Sequence, residues 1–167
     1  MQLILQKDII RLSTSPFSSL FFLVKKRDGT WRFCVDYSTL NVVTVKDHFP
    51  IPTIDELLDE LGGTCWFSKL NLLQGYHQIL MNDDDVYKTI LQTHHGRYEF
   101  RVMSFGLSYA PSSFQATMNN IFKPYLCHFI FVFFDDILIY NHTLEEHCIY
   151  LEVILGTFGR QFLLEAI

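Results

Sequence analysis

The stretch that most constrains the fold of this chain is an apolar run interrupted by two adjacent carboxylates. Residues 129–134 are all apolar, Asp135 and Asp136 follow, and residues 137–140 are apolar again. Such runs rich in Phe, Ile and Val predict buried β-strands, so the two acids are predicted to lie at the tip of a hairpin. Ionised carboxylates beside an apolar sheet lose hydration and repel each other, a cost that a metal ion, another cation or an open cleft offsets. An isolated Asp-Asp pair is also typical of an ordinary exposed turn, and both interpretations are open at this point.

The composition predicts one core and argues against binding through overall charge. The chain has 167 residues, of which 49% are hydrophobic and 16% aromatic, enough for one core and a small second lobe. Its formal net charge is −5, so any contact with nucleic acid must rest on a local cluster of cations. The longest apolar run is too short to cross a membrane, and no signal-peptide pattern follows Met1. We therefore expect an intracellular protein, cytoplasmic or nuclear, without membrane contact.

Four cysteines lie far apart in the sequence. They are Cys34, Cys65, Cys127 and Cys148. They form no CxxC pair, and each lies in an apolar run, which predicts buried, reduced thiols.

Positive charge is concentrated in the first predicted hairpin. Residues 20–26 and 30–35 are strand-like, and the Asp28-Gly29 pair between them favours a tight turn. The cations of this hairpin, next to Trp31, are Lys25, Lys26, Arg27 and Arg32. A short charge run of this kind is often only a solvated hairpin tip. It is equally the pattern of a flap whose cations contact phosphates.

Several shorter segments carry local predictions. Residues 9–12 are predicted as a helix or turn, and residues 53–61 as a helix that starts at a capping box and ends at Gly62-Gly63. Residues 83–85 are all Asp and predict the first turn of a helix rather than a metal site. Residues 88–92 and 97–103 predict two strands joined by a polar turn that contains His94 and His95.

The second half of the chain predicts an antiparallel sheet backed by two helices. The predicted order is buried strand 65–70, helix 109–123, strand 129–134, strand 137–140 and helix 144–163, which is a split β-α-β arrangement. The predicted core stripe of helix 109–123 comprises Phe114, Met118, Ile121 and Phe122. The last helix starts at a capping box, and its predicted apolar stripe comprises Leu144, Cys148, Leu151, Leu155, Phe158 and Phe162. In such a sheet Asn71, at the end of the first strand, can lie beside Asp135 and Asp136. Oxygen ligands that hold two divalent cations and a triphosphate can activate a 3′-hydroxyl.

These segments together resemble the reverse transcriptase of gypsy-type LTR retrotransposons over nearly the whole chain. The segments that carry the resemblance are Ser13-Thr-Ser-Pro-Phe-Ser-Ser19, Val24-Lys-Lys-Arg-Asp-Gly-Thr-Trp-Arg-Phe-Cys-Val-Asp-Tyr37, Phe49-Pro-Ile-Pro52, Phe67-Ser-Lys-Leu-Asn71, Gly75-Tyr-His-Gln-Ile79, Tyr98-Glu-Phe100, Phe105-Gly-Leu107, Ala110-Pro111, Phe114-Gln115 and Phe133-Phe-Asp-Asp-Ile-Leu138. Any one of them alone is a weak signal, and the set is highly specific.

The resemblance implies an α+β fold made of a polymerase palm and a β-rich fingers subdomain. The palm is a ferredoxin-like split β-α-β antiparallel sheet with helices on one face, at about residues 47–78 and 109–167. The fingers are implied at about residues 1–46 and 79–108. No segment of the 167 residues resembles a thumb, connection or RNase H region, so we expect a fingers and palm fold without a thumb. The implied function is that of an RNA-directed DNA polymerase domain of a retroelement polyprotein, whose partners are an RNA or DNA template with its primer and dNTP.

The resemblance also implies roles for particular residues. Asp135 and Asp136 match the family's paired acids and would hold Mg²⁺ in a two-metal site. The residues matching nucleotide-binding positions are Lys25, Arg32, Tyr76, Phe105, Gly106 and Gln115. Lys25 and Arg32 would contact the phosphates of the incoming nucleotide and Tyr76 its sugar, while the other three line the nucleotide and template pocket.

The chain departs from the family's pattern at a catalytic position. Asn71 stands where the family has a third metal-binding Asp, so the ligand charge falls from −3 to −2. Further departures are Leu73 and Ser38 in place of Arg, Ser104 in place of Pro and Tyr109 in place of Asn. The resemblance therefore implies a weakly active or inactive polymerase domain. The alternative is a non-catalytic remnant that binds nucleic acid or protein through the basic hairpin.

Overall fold

The computed structural model describes residues 9–45, 58–72 and 75–161. Within these ranges the elements in chain order are β1 (Ile10–Leu12), β2 (Phe21–Lys25), β3 (Trp31–Val35), α1 (Ser38–Val43), β4 (Trp66–Asn71), a 3₁₀ helix (Gly75–Gln78), α2 (Asp83–Val86), β5 (Ile90–Thr93), β6 (Gly96–Phe100), α3 (Ala110–Phe122), β7 (Ile130–Phe133), β8 (Asp136–Asn141) and α4 (Leu144–Gln161). The start of the predicted helix 53–61, Leu73 and the stripe residue Phe162 lie outside the described residues.

The chain divides into two compact units. The first unit comprises Met1–Lys46 and Tyr76–Ala110, and the second comprises Asp47–Gly75 and Pro111–Ile167. The assignment of fingers and palm subdomains to particular residue ranges remains a prediction.

The first unit contains a three-stranded antiparallel sheet of order β1-β6-β5 and the separate β2-β3 hairpin. The predicted hairpin is confirmed: Gly29 has a φ of +84°, which glycine adopts without the strain other residues incur. The prediction of a helix or turn at residues 9–12 is wrong, because Ile10–Leu12 pairs with β6. A segment this short cannot stabilise a helix by itself, whereas pairing with β6 buries Ile10 and provides backbone hydrogen bonds.

Two further predictions of elements in the first unit agree with the structure. The three consecutive Asp residues form the first turn of α2, where Asn82 accepts a hydrogen bond from the backbone N–H of Asp84 at 3.1 Å. Strands β5 and β6 pair in an antiparallel hairpin, and His94 and His95 form the turn between them.

The second unit has the predicted split β-α-β order, and its sheet has the strand order β4-β8-β7 with both pairs antiparallel. The register pairs Ser68 with Ile139, so their side chains share a face. Helix α4 lies on that face, because His147 contacts the Ser68 hydroxyl oxygen through Nε2 at 2.8 Å. Of the predicted stripe of α3, Phe114, Met118 and Phe122 are fully buried and Ile121 is half-buried.

Two burial predictions for the second unit are wrong. Strand β4 is a sheet edge with one partner strand, so its residues alternate between exposed and half-buried instead of lying in the core. On α4, Phe158 of the predicted stripe is buried, whereas Leu144, Cys148 and Leu155 are exposed. The buried positions His147 and Ile154 were not part of that stripe. The polar contacts of His147 with Ser68 and Asn141 orient the helix, and a stripe counted from apolar residues alone misses them.

The cysteine prediction also differs from the structure. Cys65, Cys127 and Cys148 are exposed and Cys34 is partly exposed, so none is a core thiol, although all four are unpaired as predicted. Among the helices of the described ranges, none has the length and hydrophobicity to cross a membrane.

Candidate active site

Strands β7 and β8 meet in the predicted hairpin, whose tip carries Asp135 and Asp136. Phe134, which precedes them, has a φ of +50°, so the chain turns sharply through the left-handed region. The backbone N–H of Leu72 donates to the carbonyl of Asp135 at 3.0 Å, and Asn71 is the register partner of Asp136. The end of β4 and the hairpin tip therefore form one edge, and the three predicted residues Asn71, Asp135 and Asp136 lie together there.

Asp136 is held by two donors from β4. The Nδ2 amide group of Asn71 donates to Oδ1 at 2.9 Å, and the Lys69 ammonium group contacts Oδ2 at 2.7 Å. These contacts, with that of Lys69 the larger, lower the pKa of Asp136 below its usual value. Lys69 was not among the predicted site residues, although its i, i+2 spacing from Asn71 on a predicted strand indicates the same face.

The donor set at this edge fits one divalent cation in chemical type. Asp135 and Asp136 supply carboxylate oxygens and Asn71 an amide oxygen, which are ligands that Mg²⁺ and Ca²⁺ take. One oxygen of Asp135, Oδ1, is buried and accepts no hydrogen bond within the described residues, although the residue makes other contacts. No group of three His, Cys, Asp or Glu side chains in the described part of the chain could hold a metal. The site has two carboxylates, and its third oxygen-bearing side chain, the amide of Asn71, is neutral.

Gln115 fixes the backbone of the hairpin from inside the second unit. This side chain of α3 is fully buried. Its Oε1 accepts from the backbone N–H of Phe134 at 2.8 Å, and its Nε2 donates to the carbonyl of Val132 at 2.9 Å and to Asn119 at 2.9 Å. Gln115 thus supports the left-handed turn before Asp135. Its predicted contact with the nucleotide remains a prediction, and in this structure its polar atoms bond to protein.

Three of the predicted nucleotide-binding residues lie together in the first unit. The rings of Tyr76 and Phe105 are 4.7 Å apart, and the Arg32 guanidinium lies over the Phe105 ring at 5.0 Å. Gly106 follows with a φ of +100°, and a Cβ there would stand 3.0 Å from the carbonyl oxygen of Val35. A glycine is therefore required for this loop to approach β3.

Lys25 and Arg32 lie on opposite faces of the basic hairpin. Lys25 is the register partner of Trp31, and Arg32 is the partner of Val24. Partners across an antiparallel pair share a face and successive residues alternate, so Lys25 cannot share the face of Arg32. The same alternation assigns the next residue, Lys26, to the side of Arg32.

Comparison with known proteins provides an independent view of the chain. The family model described as reverse transcriptase (RNA-dependent DNA polymerase) matches residues 24–164. The retrovirus-related Pol polyprotein from transposon 297 of Drosophila melanogaster is 41% identical over 151 residues, which are 87% of this chain and 14% of that protein. An RNA-directed DNA polymerase homolog of Oenothera berteroana is 44% identical over 126 residues, which are 74% of this chain and 89% of the homolog.

Solved structures share the fold. A foamy viral protease-reverse transcriptase in complex with double-stranded DNA has a TM-score of 0.87 to this chain at 21% identity, covering 95% of this chain and 28% of that one. The same viral protein in complex with an RNA/DNA hybrid has a TM-score of 0.82. At these identities the likeness shows the fold alone, and it confirms the predicted α+β class with antiparallel sheets.

Proposed function

This chain belongs to the reverse transcriptase family. We propose that it extends a primer on an RNA or DNA template by metal-dependent nucleotidyl transfer, at a reduced rate. It corresponds to a stretch of retroelement Pol polyproteins and spans 14% of the length of the transposon 297 protein and 16% of that of transposon opus. The observation that carries the proposal is the register of β4 on β8, which pairs Asn71 with Asp136 next to Asp135. The Nδ2 atom of Asn71 lies 2.9 Å from Oδ1 of Asp136.

Asp135 and Asp136 are the residues that would hold Mg²⁺. A divalent cation held there would supply positive charge to the attacking and leaving oxygens of an in-line displacement. The protein's own contribution is to fix the two carboxylates: Gln115 supports the turn before Asp135, and the Leu72 backbone ties Asp135 to β4.

The reduced rate follows from Asn71. An amide supplies one neutral oxygen where an Asp would supply a third carboxylate, so the negative charge available to hold the cation is smaller. The loss of one such electrostatic contact lowers the rate on the order of a hundredfold.

The nucleotide and the template are bound through the first unit in this proposal. Arg32 contacts the triphosphate and Tyr76 supports the sugar, while Phe105 and Gly106 shape the adjoining pocket. The support for this is that Phe105 contacts both the Arg32 guanidinium and the Tyr76 ring. Because Lys25 and Arg32 lie on opposite faces of the hairpin, Lys25 does not contact the triphosphate together with Arg32 in this proposal.

Primer extension tests the catalytic proposal. The purified chain, a primed RNA template and dNTP are incubated with Mg²⁺ or with EDTA, beside the variant Asp135→Asn. We expect slow extension that requires Mg²⁺ and is lost in the variant. Extension that persists in EDTA, or that is unchanged in Asp135→Asn, would contradict the role of the hairpin tip.

A second candidate function is nucleic-acid binding without catalysis, which the exposed basic hairpin favours. Trp31 is 61% exposed on the hairpin. Because the net charge of the chain is −5, contact with nucleic acid must rest on a local cluster of cations such as this hairpin. Binding of a labelled primer–template would then weaken steeply with salt.

Arg32→Ala should weaken dNTP and template binding about tenfold because a charge-assisted contact is lost. Lys25→Ala, on the other face of the hairpin, should weaken it by about twofold or less. Equal effects of the two variants would contradict the face assignment, and tight binding without any Mg²⁺-dependent extension would favour this second function.

A further inference from the structure

The carboxylate of Asp136 has a nitrogen donor on each of its two oxygens, and both donors come from β4. Asn71 Nδ2 occupies Oδ1 and Lys69 Nζ occupies Oδ2, at 2.9 and 2.7 Å. The three side chains share one face of the sheet, because Lys69 and Asn71 are two residues apart and Asn71 is the register partner of Asp136. Asp136 is therefore held in place by the protein alone.

This arrangement depends on the residue at position 71. An Asp there has no amide hydrogens to donate, and it would repel Asp136 across the strand pair. Compared with an Asp at this position, Asn71 therefore has two effects: it lacks the negative charge, and it donates a hydrogen bond to Asp136. Lys69 supplies the positive charge, and with 63% of its side chain exposed it can move away from Oδ2 at little cost.

We propose that Lys69 and Asn71 act as internal counter-groups of Asp136, and that the Lys69 ammonium group competes with a divalent cation for Oδ2. The inference rests on the proposed function, because it concerns the cation that the same edge would bind. Lys69 is a positioning residue here: it keeps the carboxylate at the edge when no cation is bound and must leave when one binds. This chain then binds divalent cations weakly for two separable reasons, the missing acid at 71 and the ammonium group at 69.

Mn²⁺ binding tests the proposal without any assay of activity. Free Mn²⁺ is counted by electron paramagnetic resonance during titration of the full chain and of Lys69→Met, Lys69→Arg, Asn71→Asp and Lys123→Met. Removing a positive charge about 5 Å from a dication should tighten Mn²⁺ binding about tenfold in Lys69→Met, even at the dielectric of water. Lys69→Arg keeps the charge and should stay near the unchanged chain. Lys123→Met removes an exposed charge of the same unit that has no contact with Asp136, and it should also leave the affinity unchanged.

The outcomes separate this inference from the proposed function. Tighter binding in Lys69→Met, together with unchanged binding in Lys69→Arg and Lys123→Met, supports the competition. Tighter binding in Asn71→Asp with no change in Lys69→Met overturns the role of Lys69 and leaves the metal-dependent function standing. Absence of Mn²⁺ binding at millimolar concentration in every variant overturns both.

Discussion

At the scale of single residues, Gln115 connects a buried helix position to the turn that presents the acids. Its carboxamide donates to the carbonyl of Val132 and accepts from the backbone N–H of Phe134, whose φ lies in the left-handed region. The sequence indicated Gln115 as a site residue through the family motif. It could not indicate this role, because the role depends on how α3 packs against the hairpin.

Gln115→Leu should destabilise the fold because the buried carbonyl of Val132 and the part-buried N–H of Phe134 lose their partner. We expect the free energy of unfolding to fall by about 2–4 kcal/mol. Gln92→Leu is the matched control, since Gln92 is exposed and its carbonyl oxygen accepts from the Ser18 hydroxyl, and it should change the value by about 0.5 kcal/mol or less. Urea denaturation of both variants checks this, and a loss for Gln115→Leu no larger than for the control would contradict it.

His77 should make the stability of the chain depend on pH. Burial lowers the pKa of His77 below 6.5, and the rings of Phe105 and Phe100 lie 5.5 and 6.4 Å from its own ring. The unfolded chain therefore binds the proton more readily than the folded one. This contribution to stability is fully present above the unfolded pKa of about 6.5 and is lost as the pH falls toward the lower folded pKa.

Denaturation midpoints at pH 7.5 and pH 5.5 measure this effect. The unchanged chain should lose stability on acidification, and His77→Phe should lose less. His94→Gln changes an exposed histidine of the β5–β6 turn and should behave like the unchanged chain. An identical acid-induced loss in His77→Phe would show that another group is responsible.

At the scale of elements, short-range patterns predicted type and order well and predicted faces poorly. The Asp28-Gly29 turn, the helix start at the three Asp residues of α2 and the order β4, α3, β7, β8, α4 are local signals, and all are confirmed. The exposed side of β4 and the rotation of α4 were not predictable, because they depend on which strands pair and on the bonds of His147 to Ser68 and Asn141.

Two adjacent residues of α4 test the face that the structure assigns to this helix. Ile154 is fully buried and Leu155 is 51% exposed. Ile154→Ala should lower the free energy of unfolding by about 2–4 kcal/mol through the cavity it leaves. Leu155→Ala should change it by about 0.5 kcal/mol or less. The reverse order in urea denaturation would support the stripe expected from the sequence and contradict the structure.

At the scale of the whole molecule, family and fold are established by independent observations. The motif set predicted a reverse transcriptase, the family model matches residues 24–164, and solved reverse transcriptases share the fold at TM-scores up to 0.87. The sequence also predicted that Asn71 lies beside the acid pair. The partner it takes there, Asp136, and the joint contact with Lys69 follow from strand register, which no single motif specifies.

The central claim is that this edge is a nucleotidyl-transfer site limited by Asn71. Its most direct test is the single-turnover rate of one nucleotide addition at saturating primer–template, dNTP and Mg²⁺, for the unchanged chain and for Asn71→Asp. The control is Asn120→Asp, which adds a carboxylate at an exposed position of α3. We expect Asn71→Asp to be faster on the order of a hundredfold and the control to be unchanged. Equal rates for the unchanged chain and Asn71→Asp would contradict the claim.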